Sequence, residues 1–259
     1  PENPDLKWES TVQYNAGFDM GFFNSRLMAT IDLYYKKTSD LLLSKQLPMY
    51  SGFTSGISNV GDMENKGFEL EITSRNFIEA FKWDTKFSFS MNKNKVLNLG
   101  GGTDIYIGTS KPMGNVSEES FSVIREGEPL GSLFGYQYIG VLQTGETYAP
   151  QPNSKPGDPK FADISGPNGV PDGKITSADR TIIGRAYPKA VLGLTNTFSY
   201  KNFDLTNFWY AALGQDMLNM NNMNLEWNRT TDALNRWTTT NTETDIPRNG
   251  FYYSKYGGY

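Results

Sequence analysis

Between Thr11 and Met20 the chain alternates without a break. Val12, Tyr14, Ala16, Phe18 and Met20 fall on one side, Thr11, Gln13, Asn15, Gly17 and Asp19 on the other. This is the period-2 pattern of a strand with one apolar and one polar face. After a brief turn at Phe22 to Ser25 the pattern resumes, with Leu27, Ala29, Ile31, Leu33 and Tyr35 set against Met28, Thr30, Asp32, Tyr34 and Lys36. A first hairpin is predicted. The second covers Gly67 to Met91, where Phe68, Leu70 and Ile72, then Phe81, Trp83, Phe87, Phe89 and Met91, alternate with polar residues around a turn at Asn76 to Ala80. A third pair is expected at Ser120 to Arg125 and Ser132 to Leu142, and a fourth at Ala190 to Tyr200 and Phe203 to Leu213, turned by Lys201-Asn202.

The connections between these pairs are long: Ser44 to Asp62, Asn94 to Glu119 and Thr144 to Tyr187, with a polar stretch from Gly214 to Tyr259 that holds a possible helix around Met217 to Arg236. Short turns within pairs and long connections between them place every long loop on one rim of a sheet. Outer-membrane barrels have that asymmetry, with short periplasmic turns and long extracellular loops. The strands have the roughly 9–11 residues that a tilted crossing needs. Aromatics cluster near their ends, at Trp8, Phe22, Phe23, Tyr34, Tyr35, Phe77, Phe81 and Trp83, where interfacial girdles sit. A secreted, soluble β-rich carbohydrate-binding or adhesion protein is the alternative, and a sandwich of that kind should set long connections on both rims.

Composition narrows the function classes. The chain has 259 residues, 37% hydrophobic and 14% aromatic, with 26 Gly and 13 Pro, which suits strands and loops better than a helix bundle. No run of 18 apolar residues exists, so no transmembrane helix is available, and a strand barrel is untouched by that. A net charge of -4 argues against nucleic acid as a partner. Cys and His are absent, which removes disulfides, thiolate or imidazole metal sites and His-based triads. Pro1 to Trp8 has no basic region followed by an apolar core, and with Gly257-Gly258-Tyr259 at the other end the chain reads as a fragment of something longer.

Several stretches resemble one family. They are Asn3-Pro4-Asp5-Leu6-Lys7-Trp8-Glu9, Asp32-Leu33-Tyr34-Tyr35-Lys36-Lys37-Thr38 with Asp40-Leu41-Leu42, Asn59-Val60-Gly61 with Glu64-Asn65-Lys66-Gly67, and Glu126-Gly127-Glu128-Pro129-Leu130-Gly131. Gly135-Tyr136, Asp179-Arg180, Ile183-Gly184, Phe203-Asp204-Leu205, and Arg236-Trp237-Thr238 through Asp245-Ile246-Pro247-Arg248 continue the series. In this order they resemble the barrel of SusC/RagA-type TonB-dependent transporters. The resemblance implies an all-β fold, an antiparallel transmembrane barrel segment of about eight strands out of 22, with residues 1–259 as part of a single barrel domain that lacks the plug domain, the TonB box and the last strands. It further implies an outer membrane of Bacteroidota, a SusD-like surface lipoprotein as partner, TonB as energy source, and oligosaccharides or peptides as cargo rather than an enzymatic reaction.

The strongest polar constellation is Gly157-Asp158-Pro159-Lys160-Phe161-Ala162-Asp163 followed by Asn168-Gly169-Val170-Pro171-Asp172-Gly173-Lys174-Ile175 and Asp179. Oxygen ligands, a turn Gly and a closing acid resemble the second half of an EF-hand loop, and Asp163, Asn168, Asp172 and Asp179 are candidate Ca²⁺ ligands. Val170 stands where a ligand is needed, so a turn motif built on Asn-Gly and Asp-Gly is the preferred reading. Glu69 and Glu71 share a strand face about 7 Å apart, as a glycosidase pair would, and lining a wet lumen explains them more simply. Gly100-Gly101-Gly102 lacks the Lys and Ser or Thr of a phosphate loop. Asn115-Val116-Ser117 and Asn228-Arg229-Thr230 fit the glycosylation pattern and mean little in a bacterial protein. Loop aromatics, foremost Tyr148, Tyr187, Trp227, Trp237, Tyr252 and Tyr253, suit either cargo and lipoprotein contact or internal packing of large loops, with packing preferred. Gly214 to Tyr259 is the preferred segment for a lid or cargo contact.

Overall fold

The sequence alternation becomes six long antiparallel strands. The structure, a computed structural model, describes residues 4, 6–46, 52, 55–101, 103–110, 119–166, 169–218 and 231–248. Strands β1 (Ser10–Phe22), β2 (Leu27–Gln46), β3 (Ser55–Ile78) and β4 (Phe81–Asn98) follow one another. Then come β5 (Ile105–Ser110), β6 (Glu119–Ile124), β7 (Ser132–Tyr136), β8 (Tyr138–Val141), β9 (Pro159–Phe161), β10 (Arg180–Arg185), β11 (Ala190–Tyr200) and β12 (Phe203–Leu213). The main sheet has the order β1-β2-β3-β4-β11-β12. Two compact units result. One comprises Pro1–Ile105, Ile124–Gly131 and Arg185–Asp216, the other Tyr106–Val123, Ser132–Gly184 and Met217–Tyr259.

In the first unit the register aligns the apolar residues of all six strands on one face. One row runs Phe18, Ile31, Leu70, Phe89, Leu192 and Ala211, and the next runs Met20, Ala29, Ile72, Phe87, Leu194 and Trp209. On β4 this apolar band extends from Phe81 to Met91, after which Lys93 and Lys95 occupy the same face. Ten residue steps of about 3.3 Å, tilted about 45°, give about 23 Å of height, close to the ~25 Å apolar belt of an outer-membrane barrel. The opposite face carries Gln13, Asn15 and Asp19, Thr30 and Asp32, Asn65, Glu69 and Glu71, and Ser88, Ser90, Asn92 and Asn94. This division is that of a wall between lipid and a wet lumen. Aromatic clusters bound the band. Phe77, Phe81, Trp83 and Phe198 pack together at one end, with centroids 5.6–6.3 Å apart. At the other end Tyr14 stacks on Tyr35, and the Lys66 ammonium sits over the Tyr35 ring.

The short turns all lie on one rim. Phe22 pairs with Leu27, Leu27 with Ser74, Ile78 with Lys82, and Phe81 with Tyr200, so the turns after β1, β3 and β11 are neighbours. Phe23, Asn24 and Ser25 adopt positive φ, as does Lys201, which lets the first and last of these reverse within a few residues. Within the wall, the β2–β3 and β4–β11 connections leave the opposite rim. Strands β2 and β3 run well past the predicted ends, through residues assigned to a loop at Ser44 to Asp62. Beyond the apolar band no lipid demands alternation, yet the backbone stays paired to its neighbours. A bulge at Asp40, whose φ is +60, relaxes the register there.

The expected third pair does form a hairpin, Ser122 opposite Leu133 and Val123 opposite Ser132, but not in the wall. It belongs to a four-stranded sheet of order β10-β7-β6-β5 in the second unit, and β4 pairs directly with β11. Among the described residues the wall therefore has six strands rather than eight. Strands β6 and β7 are six and five residues long, too short to cross a bilayer, and β7 is buried on both faces rather than alternating.

The second unit closes over Val123, Phe134, Tyr136, Val141, Leu142, Phe161 and Trp237. Its polar interior is hydrogen-bonded. Gln151 receives the Phe161 N–H at 2.8 Å and donates to the Pro159 carbonyl at 3.1 Å. Asp158, 2% exposed, accepts from Arg248 Nε at 2.7 Å and from the Lys155 N–H at 2.9 Å. The Arg248 N–H in turn donates to the Gly157 carbonyl. Gly157 has φ +90, and a Cβ there would lie 2.5 Å from Trp237 Cε3, so only Gly fits. The helix expected around Met217 to Arg236 appears as a short 3-10 helix, Thr231–Asn235, among the described residues.

A candidate luminal cleft

The Glu126 to Gly131 stretch, one of the family-like motifs, is built into the polar face of the wall. Gly127 N–H donates to the Val96 carbonyl, Val96 N–H to the Glu128 carbonyl, and Leu130 N–H to Asn94 Oδ1 at 2.8 Å. Glu126 Oε1 accepts the Leu99 N–H at 2.7 Å. Arg125 holds the base of the loop through a two-pronged contact with Asp104, at 3.0 and 2.7 Å. Gly131, at φ +72, turns the loop out.

A second loop meets it. Ala186 N–H donates to the Gly131 carbonyl, and the Tyr187 ring lies where a Gly131 side chain would be. Asp216 clamps Arg185 through both its N–H and its carboxylate, at 2.7 and 3.0 Å, and Lys189 N–H bonds the Leu213 carbonyl. Between these loops and strands β2 to β4 lies an open cleft of about 830 Å³. Tyr34, Asn65, Glu69, Asn92 and Asn94 form its floor, while Glu128, Arg185, Tyr187 and Lys189 form its sides. Asn65 Oδ1 accepts from Asn94 Nδ2 at 2.9 Å and Asn92 Nδ2 at 3.4 Å, making an amide ladder.

Of the residues singled out by sequence, Tyr187 and Glu69 reach this cleft. Tyr187 is 67% exposed. Glu71 does not join Glu69 in a pair, because Lys86 takes its carboxylate at 2.8 Å. Trp237 is 5% exposed and gives its indole N–H to Gln143, and Tyr148 gives its hydroxyl to the Phe161 carbonyl at 2.7 Å, so both pack their own loops. Burial, with the Asp245 carboxylate nearby, pushes the Tyr138 phenol up to about 12. Trp227, Tyr252 and Tyr253 lie outside the described residues, as does Asn168.

The other members of the acidic constellation serve the backbone. Asp163 accepts the N–H groups of Asp172 and Gly173 at 3.2 and 2.7 Å, and Asp172 accepts that of Lys174 at 3.0 Å. Asp179, fully buried, accepts from Ile164, Ser165 and Thr176 N–H and from the Thr176 hydroxyl, which makes a capping box. Burial pushes its carboxyl up, and these hydrogen bonds outweigh that and hold it below the usual carboxylate range. Among the described residues no group of three or more acidic side chains is placed to hold a metal ion.

Sequence reasoning missed Tyr34, Asn65, Asn92, Asn94, Arg185 and Lys189. The available signal was the Asn92-x-Asn94 spacing on one strand face beside Asn65, together with the Gly-Glu-Pro motif that covers it.

A family profile described as "TonB dependent receptor-like, beta-barrel" matches residues 1–166. TonB-dependent receptor P3 of Formosa agariphila is 42% identical over 254 residues, 95% of this chain and 25% of that protein. TonB-dependent receptor SusC of Bacteroides thetaiotaomicron is 31% identical over 215 residues, 82% of this chain and 20% of that protein. The chain thus spans about a quarter of the length of the curated relatives it matches. Among solved structures, the RagAB peptide transporter superposes with a TM-score of 0.73 at 25% identity, covering 97% of this chain and 26% of that one. A wall with one apolar and one polar face, all short turns on one rim, and a match over well over half its length agree: the chain belongs to the TonB-dependent receptor-like β-barrel family of outer-membrane proteins.

Proposed function

We propose that the chain is part of an outer-membrane importer of the SusC/RagA type, which takes up large nutrients, oligosaccharides or peptides, with a SusD-like surface lipoprotein on its long-loop rim and TonB as its energy source. The observation that carries this reading is the two-faced wall. Its apolar band matches a bilayer, and its polar face carries a cleft of about 830 Å³ rather than a packed core. The β2–β3 and β4–β11 connections leave the same rim of the wall, where a surface lipoprotein would dock. The named relatives are receptors of this kind, and one structural neighbour is a peptide transporter.

The test is affinity purification of the full-length protein from detergent-solubilised outer membranes, with mass spectrometry of what accompanies it. A stoichiometric surface lipoprotein is expected, as is loss of uptake of labelled oligosaccharide or peptide mixtures on deletion. Recovery in the soluble fraction without a partner would overturn the reading.

A further inference from the structure

We infer that the lipid-facing side of the wall binds a phosphate group of an outer-leaflet lipid, with Lys93 and Lys95 as its principal contacts and Lys66 beside them. This goes beyond the import reading and does not depend on the cargo. Two rows of side chains follow the apolar band on that face, toward the rim from which the β2–β3 and β4–β11 connections leave. The first is Tyr14, Tyr35, Lys66 and Lys93, the second Val12, Lys37, Glu64 and Lys95. Glu64 is the one acid in these rows, and its carboxylate goes to Lys66 at 3.0 Å. Lys37 reaches Asp62 at 3.9 Å. Among the described residues Lys93 and Lys95 make no ion pair. Lys66 and Lys93 are moreover register partners, and like charges directly opposite repel. A chain of net charge -4 thus gathers an unbalanced cluster of cations on its lipid-facing side.

The height of the cluster identifies its partner. Two residue steps of about 3.3 Å, tilted about 45°, set Lys93 about 5 Å beyond Met91, where the apolar band of β4 ends, and two more set Lys95 about 9 Å beyond it. The headgroup layer on each side of a bilayer's hydrocarbon core is about 5–8 Å deep. Lysine stems lie along apolar surface while their ammonium groups reach into that layer, where anionic headgroups attract them. Short turns face the periplasm in outer-membrane barrels, so the layer is that of the outer leaflet. There is also room for a headgroup. Strand β11 pairs with β4 only as far as Ser90, and beside Lys93 and Lys95 the open cleft takes the place of a neighbouring strand. A phosphate held between neighbouring ammonium groups accepts charge-assisted hydrogen bonds and offsets their mutual repulsion.

The experiment measures binding of fluorescently labelled lipid to the delipidated full-length protein in micelles of a neutral detergent. The probes are phosphorylated lipid A and its dephosphorylated form, with inorganic phosphate as a competitor. Binding of the phosphorylated lipid should be about tenfold tighter or more. Lys93→Gln and Lys95→Gln should each weaken it about fivefold, and the matching Lys→Arg variants should retain it. Lys36→Gln, on the polar face of β2, should change nothing. Raising salt should weaken the phosphorylated lipid alone. Equal affinity for the two lipids, a preference indifferent to salt, or an equal loss in Lys36→Gln would overturn the inference. So would displacement of the lipid by inorganic phosphate, which would mark a site for a free anion. The comparison of the two lipids on the unaltered protein decides the matter even where a variant fails to fold. The import reading fails separately, through absence of a lipoprotein partner or of uptake, neither of which enters this measurement.

Discussion

The phenol of Tyr34 lies directly across Gly67, its register partner on the next strand: a Cβ added to Gly67 would sit 2.1 Å from Tyr34 Cζ and 2.3 Å from its oxygen. The glycine creates a slot on the polar face, and the ring fills it and forms part of the cleft floor. Gly67→Ala should displace Tyr34 and destabilise the wall by about 1–3 kcal/mol, the usual cost of overpacking. Thermal unfolding of the full-length barrel in detergent reads this, and Tyr34→Ala in the same protein should restore most of the loss. An unchanged midpoint in Gly67→Ala would show that the ring does not need the slot.

Asp179 gives the second unit a defined acid limit. Its carboxyl is held below the usual range, so its stabilising contribution is complete above the pKa of an unfolded aspartate, about 3.9, and is lost as pH falls through the lower folded value. Hydrogen-exchange protection of residues 163–179, referenced to an unstructured peptide at each pH, should be steady above pH 5 and collapse below about pH 4. In Asp179→Asn an amide donor would face the Thr176 N–H, so protection should be weaker at every pH, and the acid transition should vanish.

The buried Asp158 depends on Arg248. Arg248→Met removes the Nε donor and leaves a carboxylate that is 2% exposed with one ionic contact fewer, at a cost of about 1–3 kcal/mol. Asp158→Asn combined with Arg248→Met should cost less than the two singles added together, because the stranded charge is gone. A thermal-shift double-mutant cycle measures this coupling, and strict additivity would sink it.

A polar row crosses the apolar face just above the Phe81–Trp83–Phe198 cluster. Asn196 Oδ1 accepts from Trp83 Nε1 at 3.0 Å and Thr85 Oγ1 at 2.8 Å, and Asn76, at a bulge in β3, continues the row to Ser74. Asn196→Leu strips two donors of their acceptor and should lower stability by about 1–3 kcal/mol despite adding apolar surface to a lipid-facing position. Trp83 fluorescence should shift in the folded protein as its indole N–H loses its partner. No change in either measurement would show that lipid or water replaces the asparagine.

The acidic loop should behave as a turn. With Asp163 and Asp179 accepting backbone N–H groups, titrating Ca²⁺ into the full-length protein should give no binding heat and no change in melting, and Asp172→Ala should leave that unchanged. Saturable heat that disappears in Asp172→Ala would establish a calcium site instead.

The wall was legible because lipid on one side and water on the other impose a strict period on Phe68 through Ile72 and on Val12 through Met20. Where one side no longer meets lipid the pattern dissolves, and the end of β2 from Ser44 and the start of β3 up to Asp62 read as a loop. The same loss hid the fate of Ser120 to Leu142. Its residues do form a hairpin, but burial on both faces is a property of the assembled second unit and is not written in a run of five residues. The cleft was least legible. Arg185 and Lys189 lie far in sequence from Asn65 and Asn94, and only the pairing of β4 with β11 brings them together.

That pairing also bears on how such a wall is assembled and diversified. The hairpins β1–β2, β3–β4 and β11–β12 close over a few residues and can form early, whereas joining β4 to β11 must wait for a far larger loop to close. Because closure entropy grows only slowly with loop length, the wall is nearly indifferent to the length of the intervening chain. Whole segments can be exchanged between Ser132 and Gly184, which belong to the second unit, at little thermodynamic cost to the wall. The seam between β4 and β11 is thus a natural port for evolutionary tinkering, and for grafting foreign domains onto the barrel.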